Sequence, residues 1–256
     1  MGLLRPVAIV LCLLGLAARP WPLRLAFGAV ALAGAATILP HLMPQAPGGD
    51  LRIYSKNVWF LNEEIDALAA DILAAEVDAV FLQEVSADQA GLPEALADAF
   101  PHQHRCQPSR WSGIVVASKH PFDGAPRCSG ARAVAAAPIR IDGQRIWLAA
   151  IHLPWPWPHD SAENDAAALD LLGSLDGPVV MGGDFNIFPW TGRVGRIADL
   201  TGTRVAGPMR ATFSLLGLPL PIDIVLAPGG GTVAARPWLG SDHRGIVADV
   251  ALADGP

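Results

Sequence analysis

Asp184 and Asn186 place a carboxylate and an amide two residues apart, just beyond the apolar run Pro178 to Met181. Such a pair suits a metal-held phosphate. Gly177 and Pro178 open the run as turn residues, and Gly182 and Gly183 leave the backbone room to approach a ligand. Alternate residues of a strand share a face, so Asp184 and Asn186 are expected to look into one pocket while Phe185 turns away. Taken alone, the same tetrapeptide also fits an Asx-type turn after a strand.

Further strand-like segments each carry a polar group of matching chemistry. Val80 to Leu82 leads to Gln83 and Glu84, Arg52 to Val58 carries Asn57, and Ile146 to Ile151 ends at His152. Pro221 to Leu226 holds Asp223 inside an apolar strand, where an unpaired charge is costly. Near the C-terminus Asp242 and His243 precede the alternating strand Ile246 to Leu252. An imidazole beside a carboxylate is hydrolytic chemistry, because histidine exchanges protons near neutrality and the acid fixes its tautomer or holds a metal.

In order, Ser-Lys-Asn-Val at Asn57, Leu-Gln-Glu-Val at Glu84, Ser-Gly-Ile-Val-Val-Ala-Ser-Lys-His-Pro around Gly113 and Ile-His-Leu-Pro at His152 are followed by Gly-Asp-Phe-Asn at Asp184, Pro-Ile-Asp-Ile-Val at Asp223 and Ser-Asp-His-Arg at Asp242. This series, over about residues 50 to 252, resembles the endonuclease/exonuclease/phosphatase (DNase-I-like) superfamily of metal-dependent phosphohydrolases. The resemblance implies an α/β fold, a four-layer sandwich of two mixed β-sheets packed face to face and flanked by helices. Its active site lies where strand ends of both sheets converge.

The same resemblance implies roles. Glu84 corresponds to the principal Mg²⁺ ligand, with Asn57 and Asp242 close to the metal or its waters; Mn²⁺ is the alternative ion. A sparse acidic site suffices, since Mg²⁺ keeps several waters and takes one or two carboxylates plus substrate phosphate. Asp184 would orient the attacking water, Asn186, His152 and His243 would contact phosphate, and Asp223 would hold the His243 ring. Asp184 and His243 both remain candidates for the general base. Ile224 stands where the family commonly has a histidine after this acid, a departure that affects the contacts around Asp223. His41, His102, His104, His120 and His159 match no motif and are expected on surfaces or loops.

The first 49 residues follow a different logic. Pro6 to Ala18 is apolar but only 13 residues long, whereas Leu25 to Met43 is a charge-free run of 19, close to the ~20 needed for a transmembrane helix. Pro44, Pro47, Gly48 and Gly49 then mark a linker over 44–49, leaving residues 50–256 as a single catalytic domain. Arg19 and Arg24 before the longer run are expected to stay cytoplasmic, placing the catalytic domain at the cell membrane on the exoplasmic side. Two full spans would put the N-terminus outside despite Arg5, a conflict removed if the first stretch does not cross or a further segment precedes it. The overall arrangement resembles membrane-anchored bacterial members of the superfamily.

Charge narrows the substrate. Three of the 18 basic and none of the 24 acidic residues lie in the first 49, so the catalytic domain carries a formal charge of −9. Nucleic-acid binding draws on clustered Lys and Arg, and this domain lacks that footprint. The sole tyrosine, Tyr54, also leaves no counterpart for the mid-chain tyrosine of abasic-site nucleases. Trp155 and Trp157 on the proline-stiffened loop after His152 fit either a membrane interface or a cover over the domain core. The expected activity is therefore hydrolysis of a phosphate ester or pyrophosphate in a lipid, an envelope precursor or another small phosphoester, without a protein partner. A tethered or secreted DNase-I-like nuclease and a non-catalytic binding module on the same fold are the alternatives. Helices are expected at Glu63 to Ala75, Ala87 to Ala99 and Ser161 to Leu175, and a loop from Thr201 to Pro221. Cys106 and Cys128 fit either one disulfide or two free thiols.

Overall fold

The computed structural model describes residues 4–17, 20–46, 49–130, 133–157 and 161–253; Arg19, Pro47, Gly48, Pro158 and His159 lie outside them. Helices α1 (Leu4–Gly15) and α2 (Trp21–Leu42) come first. Then follow β1 (Leu51–Asn57), α3 (Ile65–Ala74), β2 (Ala79–Gln83), α4 (Gly91–Ala95), β3 (His102–Ser109), β4 (Ser112–Ser118), β5 (Arg127–Cys128), β6 (Val134–Ile141) and β7 (Gln144–His152). The remainder comprises α5 (Ala162–Gly173), β8 (Val179–Asp184), α6 (Gly192–Thr201), β9 (Arg204–Val205), β10 (Phe213–Leu215), β11 (Leu218–Leu220), β12 (Asp223–Ala227), β13 (Gly231–Ala235) and β14 (Ile246–Val250).

Two six-stranded mixed sheets form, in the orders β13-β14-β1-β2-β4-β3 and β5-β6-β7-β8-β12-β9. The strands read as nearly continuous apolar runs because both faces of each sheet are covered. Ile53, Phe81 and Val116 of one sheet meet Leu148, Ala150, Val180 and Val225 of the other in the central core. The opposite faces bury Tyr54, Val80 and Leu82 with Leu68 and Ile72 of α3, and Ala149, Val179 and Met181 with α5 and α6. Gly182 lets the sheets close tightly below the site, since a Cβ there would stand 3.1 Å from Phe81 and 3.2 Å from Val225.

The N-terminal elements differ in detail from expectation. Helix α2 starts at Trp21 rather than Leu25, because Pro22 falls in its first turn, where the missing N–H is not needed. At 22 residues it is about 33 Å long, and of its residues only Ala31 is buried. Among the described residues it is the one helix long and apolar enough to cross a membrane, and by length and composition it fits a span or a signal sequence. The first apolar stretch is helical over Leu4–Gly15, too short to cross. The residues after α2 do not form a free tether. Gln45 Nε2 donates to Val205 O at 2.9 Å and Gln45 Oε1 accepts from Gly231 N at 3.1 Å.

Elsewhere, the expected Ala87 to Ala99 helix is broken into a 3₁₀ turn over Ala87–Gln89 and the short α4. Pro93 cannot donate to the Gln89 carbonyl, and the Gln89 side chain is spent on Ser86 N, Trp59 O and Asn62 O. The expected loop from Thr201 to Pro221 instead contains β9 and the β10–β11 hairpin. His102 and His104 lie in β3 and His41 in the last turn of α2, not in loops. Cys106 and Cys128 are disulfide-bonded, which joins β3 and β5, the outermost strands of the two sheets on one side.

A half-buried polar network ties β1 and α3 to the segment that follows β13. Tyr54 OH donates to Asp71 Oδ2 at 2.7 Å, and Arg236 donates to both Asp71 oxygens, from Nε at 3.1 Å. Burial works to raise the Asp71 pKa, but the Arg236 and Tyr54 donors outweigh it and hold it below the ordinary 3.8. A depressed folded-state pKa means this stabilisation is complete above about pH 4 and lost as pH falls through the folded-state value. Asp71→Asn is therefore expected to cost about 1–3 kcal/mol at pH 7, a cost that shrinks as pH falls through the folded-state pKa, in thermal unfolding of the detergent-solubilised chain.

Candidate active site

Strand pairing delivers the polar residues to one place. His152 pairs with Asp184 across parallel β7 and β8, and Asp184 with Asp223 across antiparallel β8 and β12. On the other sheet Asn57 pairs with Gln83, so Glu84 leaves β2 beside the end of β1. The carboxyl ends of β1, β2, β7 and β8 thus open on a common site, where β12 begins.

The local backbone is strained there. Glu84 and Asn186 are non-glycine residues with φ of 56° and 50°. Reciprocal bonds between Val85 and Gly113, both 3.0 Å, hold the chain after Glu84, and a Cβ at Gly113 would lie 2.5 Å from Val85 O. Asn186 is held by its own N–H donating to Asp184 Oδ1 at 2.8 Å and its Nδ2 donating to Leu153 O at 2.8 Å. The Asx turn and the functional pair are therefore the same object, and Phe185 turns into the core as expected.

Asn57 bridges the sheets. Its Nδ2 donates to Glu84 Oε1 at 3.0 Å and to Asp184 Oδ2 at 3.1 Å, while its Oδ1 accepts from Trp59 N at 3.0 Å. His152 Nε2 stands 3.4 Å from Glu84 Oε1 and 3.9 Å from Asp184 Oδ2. His243 Nδ1 pairs with Asp223 Oδ2 at 2.8 Å, leaving Nε2 3.7 Å from Asp184 Oδ2. Ile224 packs into the helix-side core, so the departure from the family pattern leaves the Asp223–His243 contact intact. Glu84, His152 and Asp184 form one compact group of possible metal ligands, and Asp184, Asp223 and His243 another. Asp242 belongs to neither; it is exposed and acts on Glu84 and His243 through its charge.

Burial, reinforced by the Asp223 charge, raises the Asp184 pKa against the pull of both histidines. Burial also works to discharge His243, but Asp223 and Asp184 outweigh it and the imidazole is held well above its ordinary range. The donor set fits a hard divalent cation through its carboxylate oxygens: Glu84 and Asp184 meet beside His152 at a half-open position, with Glu84 and His152 22% and 16% exposed at their side chains, while Asn57 turns its Nδ2 to both acids and its Oδ1 to Trp59 N. Asp223 Oδ1 is buried without a hydrogen-bond partner. A cavity of about 400 Å³ lined by Cys106, Ile114, Cys128, Gly130 and Ala133 lies close by, and Ala133 O accepts from His152 N at 2.8 Å.

Two further residues, Ser241 and Lys56, carried no role in the sequence reading, and Thr212 and Phe213 lie in the segment Ala211 to Ser214 that resembles the family's substrate-side stretch before the final acidic strand. Ser241 Oγ donates to Asn57 O at 2.7 Å and accepts from His243 N at 3.0 Å. Thr212 Oγ1 accepts from Asp223 N at 3.2 Å, and Phe213 packs on His243 with ring centres 4.7 Å apart. Lys56 is fully buried, its Nζ donating to Trp238 O at 2.6 Å and His243 O at 2.5 Å, and burial pulls its pKa down to about 8. A lysine inside an apolar strand was the available signal, since a buried ammonium must find acceptors.

A sequence model of the Endonuclease/Exonuclease/phosphatase family matches residues 54–243, and the chain belongs to that family of metal-dependent phosphoester hydrolases. A family protein from Leptotrichia buccalis superposes with a TM-score of 0.64 at 17% identity, covering 78% of this chain and 99% of that one. D. rerio TDP2 complexed with a single-strand DNA product gives 0.60 at 18%, covering 77% and 97%. The 3′ phosphatase NExo from Neisseria, bound to a product DNA hairpin, gives 0.60 at 19%, covering 78% and 99%. No curated protein matches the chain.

Replacing Lys56 by Met orphans the carbonyls that shape the Trp238 to His243 loop. The expected result is a loss of about 1–3 kcal/mol in thermal unfolding, accompanied by a fall in kcat.

Proposed function

We propose that this chain is a membrane-anchored, exoplasmic, Mg²⁺-dependent phosphohydrolase that cleaves a phosphate ester or pyrophosphate of a lipid or envelope precursor. The observation carrying the reading is the convergence of Asn57, Glu84, His152, Asp184, Asn186, Asp223 and His243 at the strand ends of both sheets. Glu84 and Asn57, with Asp242 at the rim, would hold the metal. Bound Mg²⁺ supplies Lewis-acid polarisation of a phosphoryl oxygen.

Asp184, held by Asn57 and Asn186, would orient a water and take its proton as the water oxygen attacks phosphorus. The bond from phosphorus to the leaving oxygen breaks as the new one forms. His243 is locked through Nδ1 by Asp223, so its Nε2 faces the site and serves the phosphoryl charge that grows in the transition state. His152 and Asn186 complete the phosphate contacts. The lipid reading is supported by the charge of −9 on the catalytic domain and by α2. The exoplasmic reading is supported by the Cys106–Cys128 disulfide, a bond favoured in oxidising compartments.

A second reading, a tethered nuclease, is favoured by the DNA products in the TDP2 and NExo structures. A binding module without catalysis is disfavoured because the whole acid, amide and imidazole set is present.

The full chain in detergent is expected to turn over one or more members of a panel of lipid phosphates, lipid pyrophosphates and sphingomyelin, dependent on Mg²⁺ and abolished by a chelator. Glu84→Gln and Asp184→Ala should each lower the rate at least about 10²-fold without altering thermal unfolding by more than a small margin. Turnover of DNA alone, at physiological salt, would establish the nuclease instead. Alkaline phosphatase fused after the C-terminus in a bacterial host should be active; activity only from a cytoplasmic reporter overturns the topology.

A further inference from the structure

The anchor helix and the active site share one apolar cluster. Phe188, Trp190, Leu220 and Ile222 are buried together, and Ile38 of α2, Trp155, Met209 and Phe213 pack against them. Met209 N donates to His41 O at 2.7 Å, one residue before the end of α2. Gln45 then bonds to Val205 and Gly231, in or beside the outermost strands of the two sheets. The end of α2 is thus built into the catalytic fold, and whatever plane holds α2 has a fixed relation to the site.

The β10–β11 hairpin rises from that same cluster. Leu220 and Phe213 root it, Leu216 and Gly217 turn it with φ of 50° and 82°, and it pairs with neither large sheet. Both turn residues with positive φ give the tight two-residue connection of such hairpins. The segment Ala211 to Ile222 contains no charged residue. Its tip is nevertheless in the open: Leu216 is 95%, Leu218 59% and Leu215 43% exposed. Trp157, four residues after Leu153, is 81% exposed on the neighbouring loop, whereas Trp155 turns inward against Phe213. The tryptophan pair therefore divides between the two roles open to it.

We infer that the bilayer holding α2 is also the surface on which the Leu215–Leu218 hairpin and Trp157 rest, so that the site takes a lipid phosphate directly from the headgroup layer. This rests on the membrane-anchored reading above. The bilayer is the occupant the geometry favours over a second copy of the chain, because α2 brings an apolar phase to the hairpin root in every copy. Leucine and tryptophan side chains without nearby charge are suited to the boundary between headgroups and acyl chains. Phe213 carries the link to chemistry, since it begins β10 and lies against His243.

The test uses the full chain with Cys12→Ser, reconstituted in nanodiscs of phosphatidylcholine and phosphatidylglycerol. An environment-sensitive dye on Leu216→Cys should emit as in an apolar medium and be quenched by lipids brominated on the acyl chain. The same dye on Gln144→Cys, at the far end of β7 from His152, should emit as in water and stay unquenched. Water-like, unquenched emission at position 216 overturns the inference. This readout needs no turnover, so it decides the point even if the lipid substrate reading fails and only DNA is cleaved. With a lipid substrate in hand, Leu216→Asp should lower turnover in nanodiscs by about tenfold and leave hydrolysis of soluble bis-p-nitrophenyl phosphate unchanged. Equal effects on both substrates, or none on either, would also overturn it.

Discussion

Crowding of negative charge is the constraint around which this structure is organised. Glu84, Asp184 and Asp223 meet within a few ångströms at the ends of two sheets, and Asp184 is 99% removed from solvent at its side chain. Carboxylates in that position repel one another and lose hydration, and at Asp184 burial with the Asp223 charge raises the pKa. Asn57 offsets this by donating to two acids at once from opposite sheets, and His152 and His243 place positive or polarisable nitrogens in the remaining gaps. A divalent cation held by Glu84 and Asp184 would complete the same balance.

That balance must be held rigid, and the fold supplies rigidity from outside. Lys56 grips the carbonyls of the loop carrying His243, Ser241 ties that loop to Asn57, and Asp71 with Arg236 and Tyr54 braces the strands behind it. None of these groups faces the site. They are buried or half-buried polar contacts, and polar networks whose members are paired in this way define one arrangement rather than several.

Much of the candidate site was legible because Glu84, His152 and Asp184 stand at or just past the ends of apolar strands as polar exceptions. Asp184, Asn186, Glu84 and His152 could be picked out by that contrast, and strand pairing then brought them together. The two sheets flanked by helices followed from the resemblance carried by the ordered motifs, not from periodicity. What stayed hidden had weak local signals. Strands β10 and β11 are three residues each, too short for alternation to register, and α6 hides a buried Arg193, ion-paired to Asp165, on a face that composition reads as polar. Lys56 sits where a strand normally buries an apolar side chain, and its acceptors are carbonyls from residues more than 180 positions away. The break at Pro93 was visible in the sequence, but the alanine-rich flanks outweighed it in a propensity reading.

The two sheets of the sandwich are fastened at opposite margins by different means. A covalent bond joins β3 to β5 on one side; on the other, Gly207 just after β9 donates to Gly231 O at 2.9 Å and accepts from Val233 N at 3.2 Å, and Gln45 just past α2 adds its bonds to Val205 and Gly231. Cleavage between Gln45 and Asp50 would leave the disulfide and the Gly207 bonds intact and let only the Gln45 contacts dissociate, freeing the Val205 carbonyl and the Gly231 amide. A catalytic domain cut there would keep both margins of its sandwich closed, by a covalent bond on one side and backbone pairing on the other.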